Sequence, residues 1–304
     1  MKKIFFLLIT ITNFIFTMGH YASINKIINN SEDSSIISIG KDEKIIIWNL
    51  EKYEIESQFE LNKGTLYRGV FMEEKNSILT SSIEGILYLF SLNTNTLVDV
   101  KNPNIGNLEN IYSLENEKFL MISKSGIINL YDYKSDRNLK QIKLKNTVSS
   151  SYFYNNYLYF SCNDYSIQRL NLENFKLDNI YNSSTLINNL IVEENILYAS
   201  NTDGDIIAYD IQHKILLFNH IISRNHFINS IYLWKNFLIS GLSNGEIHIY
   251  NINNNEKLDT IQVEESEIND IFVKEKIMLI AYKNGTLSFF DLNTFTLISS
   301  KTSF

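Results

Sequence analysis

An all-β fold built from seven repeats of a four-stranded unit is predicted by three observations in this 304-residue sequence. A large residue closes an alternating apolar strand at Trp48, Phe90, Tyr131, Leu170, Tyr209, Tyr250 and Phe290, at separations of 42, 41, 39, 39, 41 and 40 residues. Five residues before each of these stands Glu43, Gly85, Gly126, Tyr165, Gly204, Gly245 or Gly285, five of them glycine, as a tight hairpin turn in register requires. Each period also holds strand patterns on both sides of that hairpin, so the repeating unit has four strands. A period of about 40 to 45 residues with four strands is the signature of propeller blades. The expectation is therefore a seven-bladed β-propeller over residues 20–304, preceded by a signal peptide over residues 1–19.

The third strands run in order as IIIWNL (45–50), LYLFSL (87–92), INLYDY (128–133), IQRLNL (167–172), IIAYDI (206–211), IHIYNI (247–252) and LSFFDL (287–292). The sixth unit shows the whole pattern: INSIYLW (228–234), NFLISGL (236–242), EIHIYNI (246–252) and EKLDTIQV (256–263). Radial repetition leaves only short strand edges, which is how such folds avoid open-edge pairing.

The first unit carries a further pattern. Gly19-His20 opens it, Ser38 lies in the second strand, Asp42 in the turn, and Trp48-Asn49 closes the third strand. In these residues the chain resembles the WD-repeat propeller family. The resemblance implies that His20, Ser38, Asp42 and Trp48 form a hydrogen-bonded structural relay that stiffens the blade. Only the first blade has all four, and its closing dipeptide is Trp-Asn. The seventh blade ends with its own outer strand (296–303), so no N-terminal strand is left over to close the ring by exchange.

The segment before the repeats belongs to another class. Lys2 and Lys3 precede the charge-free stretch IFFLLITITNFIFTM (4–18), with small residues following at Gly19 and Ala22. This is the pattern of a cleaved secretory signal peptide, too short for a membrane span of about 20 apolar residues. Export to the periplasm or outside the cell is expected, with no stable membrane anchor after cleavage. A net charge of −7 argues against nucleic-acid binding, which draws on clustered Lys and Arg. The single cysteine, Cys162, excludes an intramolecular disulfide framework. It lies in the strand YLYFSC (157–162) and reads as a buried small hydrophobe.

No catalytic, metal-binding or cofactor-binding motif emerges. The five histidines, His20, His213, His220, His226 and His248, form no HxH or HExxH pair. His213 and His220 flank an outer strand and read as solvated, while His248 reads as packed between blades or satisfied by backbone. Asn201-Thr202-Asp203-Gly204-Asp205 looks like the start of a calcium loop, but the twelfth position is Gln212 rather than Glu, and the same offset is a hairpin turn in the other units.

What remains is positional. Aligning the inner strands on Ile27, Val70, Ile111, Tyr152, Leu190, Ile231 and Ile271 places Asn25, Arg68, Glu109, Ser150, Asn188, Asn229 and Asn269 two residues earlier. One polar residue per blade is what a wet central channel requires, since buried polar groups need partners. By the family geometry, the loops entering the inner strands and the hairpin turns share one end of the propeller. Tyr67, Arg68, Tyr165, Arg224, His226 and Phe227 are the expected partner-binding residues there, Tyr and Arg being enriched at binding hot spots. The functional expectation is a monomeric, exported, non-enzymatic scaffold for protein partners. In leader, length and degenerate repeats the chain is similar to the exported propeller accessory proteins of periplasmic nitrate reductase systems, which implies service to a periplasmic redox enzyme. Two alternatives stay open: a propeller enzyme of the lactonase or quinoprotein dehydrogenase kind, and an intracellular WD-repeat scaffold.

Overall fold

The computed structural model describes residues 19–30, 34–254 and 256–302. The expected signal peptide lies outside the described residues, apart from Gly19. Seven four-stranded antiparallel sheets follow one another along the chain, each paired in simple sequence order, so the protein is a seven-bladed β-propeller. The blades span Ile24–Glu60, Leu66–Lys101, Leu108–Lys143, Val148–Asn182, Ile187–Ile221, Ile228–Gln262 and Ile268–Lys301. One 3₁₀ turn, Glu73–Lys75, interrupts the strands.

The turn position predicted from the period has a left-handed backbone in every blade, with φ between 64° at Glu43 and 90° at Gly285. The residue closing each third strand is buried in six blades, from Trp48 to Phe290, with Tyr250 half-buried. In six blades the pairing of third and outer strands slips immediately before this residue, as between Ile47 and Trp48; blade four slips earlier, between Ile167 and Gln168. Blade four is thus irregular in turn residue, closing residue and bulge together.

The core lies between blades. Seven apolar clusters occupy the seven junctions, and the one joining blade seven to blade one is built like the rest, from Leu279, Ala281, Leu287 and Phe289 against Ile24, Ile27, Ile46 and Trp48. Trp48 meets Phe289 edge-on at 5.9 Å. Among the described residues the ring closes by face packing between four-stranded blades, with no exchanged strand. Burial of these faces is the main source of stability, since each apolar side chain removed from water contributes roughly 1.5–3 kcal/mol.

Candidate functional site

Three sets of polar residues were singled out by the sequence, and the structure separates them. The first set sits at the seam between blades seven and one. Trp48 Nε1 donates to Ser38 Oγ at 2.7 Å, Ser38 Oγ lies 2.7 Å from His20 Nε2, and His20 Nδ1 lies 2.8 Å from Asp42 Oδ1. All four side chains are buried. A carboxylate only accepts, so Nδ1 carries the imidazole proton, and Nε2 accepts from the Ser38 hydroxyl. Asp42 also takes the backbone N–H of Tyr21 at 3.0 Å. The chain of bonds ties the entering loop to the second strand, the turn and the third strand of one blade.

The second set lines the central channel. In each inner strand, pairing with the second strand skips one residue near the turn end: Asn25, Tyr67, Glu109, Ser149, Asn188, Asn229 and Asn269. This corrects the predicted ring in two blades. Arg68 and Ser150 belong to the next tier, with Lys26, Asn110, Asn189, Ser230 and Asp270, because the bulges of blades two and four fall at Tyr67 and Ser149. All seven predicted ring residues nevertheless face the channel. Asn25, Arg68, Glu109, Ser150, Asn229 and Asn269 line an inner cavity of about 310 Å³, and Asn188 lines the mouth above it.

The inner strands have an unpaired edge toward the channel, and neighbouring blades satisfy it. The amides of Asn25, Asn189 and Asn269 donate to the carbonyls of Leu66, Ile228 and Ile24 in the following blade, at 2.7, 3.3 and 2.8 Å. Asp270 accepts from the N–H of Ile27 at 2.8 Å, as Ser230 accepts from that of Ile271 at 3.1 Å. Lys26 pairs with Asp270 at 3.0 Å. Glu109 is buried, and desolvation holds its carboxyl above the usual carboxylate range although Arg68, Ser151, Lys124 and Lys26 oppose the shift. The Ser151 hydroxyl donates to it. Much of the channel polarity is therefore committed to joining blades.

The third set was expected to form one partner surface, and the structure divides it. Tyr67, Arg68 and Phe227 line the mouth at the turn end, an open cavity of about 590 Å³ shared with Lys124, Lys283 and Glu267. Tyr165, Arg224 and His226 lie outside that lining. Arg224 instead reaches Asp205 at 3.7 Å, and Tyr165 stands 45% exposed on the turn of blade four. The Arg68 guanidinium lies 4.4 Å from the Tyr67 ring centre and the Lys124 ammonium 4.9 Å from the same ring. Lys124 also donates to the Tyr67 hydroxyl.

Lys124 was missed by the sequence reading. It stands two residues before the turn glycine of blade three, a register shared by Lys41 and Lys283. Reading that register across the blades would have found it. The other singled-out residues resolve simply. His220 is half-buried rather than solvated: its ring stacks on Phe218 at 4.7 Å and on Tyr250 at 6.5 Å. His213 is exposed and bonded to Asp210. His248 is buried and meets the Glu246 carboxylate at 3.1 Å rather than backbone. In the calcium-like segment, Asn201 Oδ1 accepts the N–H groups of Asp203 and Asp205 at 3.0 and 2.9 Å, closing a turn. Cys162 is buried, which pushes its thiol up to about 11. Among the described residues no three His, Cys, Asp or Glu side chains are grouped to hold a metal ion, and no helix is long and apolar enough to cross a membrane.

No family model matches the chain. No curated protein matches it either. Solved structures match in fold: the crystal structure of the computationally designed Ika8 protein superposes with a TM-score of 0.69 at 16% identity, over 88% of this chain and 83% of that one. With 1842 solved chains matching, the likeness establishes the propeller and leaves the choice of function to the site.

Proposed function

We propose that this propeller is a non-enzymatic scaffold that binds protein partners with the turn-end face around its channel mouth. The observation that carries the reading is the convergence of Tyr67, Arg68 and Lys124 at the mouth, with Phe227 56% exposed on the same cavity. Aromatic and Arg anchors beside a concave surface are the usual makings of a binding hot spot. The relay and the inter-blade amide contacts supply rigidity, which lowers the ordering cost of binding.

The finer reading is an exported accessory protein of a periplasmic redox enzyme such as nitrate reductase. Its support is the charge-free apolar stretch behind Lys2 and Lys3, together with the resemblance in length and degenerate repeats. N-terminal sequencing of the protein from its native host tests export, which requires a chain beginning at His20 or Ser23. Crosslinked capture from the envelope fraction tests the scaffold role. A double substitution, Arg68→Ala with Tyr67→Ala, is expected to weaken capture by about tenfold or more while the fold persists. Unchanged capture, with loss instead on substituting Trp234 at the other end, would move the interface to the opposite face. Stoichiometric metal or quinone in the native protein would replace the scaffold with a propeller enzyme.

A further inference from the structure

Resting on that reading, we propose that the channel mouth receives a carboxylate from an acidic segment of the partner protein, held between Arg68 and Lys124. Two cations converge there on one aromatic ring, and neither forms an ion pair among the described residues. The other channel lysines are neutralised: Lys26 by Asp270 at 3.0 Å and Lys283 by Glu267 at 2.6 Å. Arg68 spends Nε on the carbonyl of Glu109 and Nη1 on its neighbour Tyr67, so its bonds go to neutral oxygens and its charge stays uncompensated by contact. The Glu109 carboxylate is taken by the Ser151 hydroxyl and lies in the inner cavity. The buried Glu109 carboxyl offsets the two cations without forming an ion pair with either, and an incoming carboxylate in direct contact relieves their remaining repulsion while accepting charge-assisted hydrogen bonds.

The surroundings select a peptide as the source of that carboxylate. The mouth holds about 590 Å³, within the range of sites that take a few side chains rather than a folded domain. The Asn188 side chain on its wall can both donate to and accept from a peptide backbone, and Asn229, whose amide donates to Glu267 at 2.9 Å, keeps its oxygen as an acceptor. Phe227 on the rim offers an apolar contact beside the charge. The positive spot is local within a chain of net charge −7, which suits one or two carboxylates and disfavours an extended polyanion.

The test uses the folded full-length chain and a set of fluorescein-labelled hexapeptides carrying two glutamates beside one aromatic residue. The same peptides with glutamine, and inorganic phosphate, serve as probes alongside. Glutamate peptides should bind at least tenfold more tightly than their glutamine forms, and the difference should shrink as salt rises. Lys124→Gln should lower glutamate-peptide affinity about tenfold, with Lys124→Arg restoring it, while thermal stability stays unchanged. Equal binding of glutamate and glutamine forms, or no binding of any peptide, would overturn the proposal. Phosphate competing as strongly as the peptide would assign the site to a small free anion instead. Partner capture from the envelope fraction separates this idea from the scaffold reading. Capture that survives Lys124→Gln unchanged sinks the carboxylate site alone, whereas absence of capture by the natural chain sinks the scaffold.

Discussion

The side-chain amide of Asn269 in blade seven donates to the carbonyl of Ile24 in blade one at 2.8 Å, across the seam between the last blade and the first. One blade on, Asn25 makes the same contact with Leu66 at 2.7 Å. The seam is therefore held by the polar contact that holds an ordinary junction, over an apolar cluster of the ordinary kind. If closure is no weaker than any other junction, Asn269→Ala and Asn25→Ala should each cost about 1–2 kcal/mol, the usual effect of leaving a buried carbonyl unpaired. Urea unfolding checks this, and a much larger loss or a second transition for Asn269→Ala alone would mark the seam as the weak point.

Asp270 carries more of the seam than Asn269. It accepts from the Ile27 N–H at 2.8 Å and pairs with Lys26 at 3.0 Å. Asp270→Ala strands the N–H and leaves Lys26 without its counter-ion, and is expected to cost about 2–3 kcal/mol. Asp270→Asn keeps an acceptor and should recover roughly half of that. The comparison is made by the same unfolding curves at low and high salt, where only the ion-pair share should respond.

How far the sequence carried these features depended on whether their cause was local. The turn residue and the large closing residue belong to one hairpin, so their spacing exposed all seven blades. The seam contacts join residues 244 positions apart and have no local signature. The bulge shifted the ring in blades two and four because polar residues run together there. Tyr67-Arg68 and Ser149-Ser150-Ser151 offer no apolar mark to show which residue is the extra one. His220 was misjudged for a different reason. It shares strand parity with Phe218, so period-two alternation turns both toward Tyr250.

The relay should weigh more than a single hydrogen bond. His20→Ala removes the partner of both Asp42 and Ser38 in a site closed to water. A buried carboxylate that loses its charge-assisted partner is costly, so about 2–3 kcal/mol is expected. Trp48→Ala should cost about 3 kcal/mol or more, since it also empties the seam beside Phe289. Peptide binding at the mouth should survive both changes while the protein remains folded. Loss of binding at full stability after His20→Ala would give the relay a direct role at the site.

Alkaline pH should loosen the fold through Cys162. Burial raises its folded pKa to about 11, above the ordinary thiol value of 9.0. Below pH 8 both states hold the proton and the preference for the thiol is fully expressed. As pH rises through the interval between these values the unfolded state ionises first, and roughly 2–3 kcal/mol of stability drains away. The natural chain should therefore lose more stability between pH 8 and pH 11 than Cys162→Ala, tyrosine contributions being common to both. Equal losses would show that the buried thiol does not govern the alkaline limit.

Tyr165 and Gly204 occupy the same turn position and should respond in opposite directions. Tyr165 holds φ at 68°, a conformation that costs a side-chain-bearing residue roughly 1–2 kcal/mol, and its ring stands exposed. Gly204 has φ 79° and a Ser223 carbonyl oxygen only 1.6 Å from where a Cβ would lie. Gly204→Ala must push that loop aside, and a loss of about 2 kcal/mol or more is expected. Tyr165→Gly relieves the strain and gives up only the covered part of a side chain that is 45% exposed, and should raise stability by about 0.5 kcal/mol. The exposed Tyr165 ring is expected to touch the partner. Calorimetry of Tyr165→Gly should show the gain, and capture of the partner by the same variant should fall; a stabilised variant with undiminished capture would leave Tyr165 outside the interface.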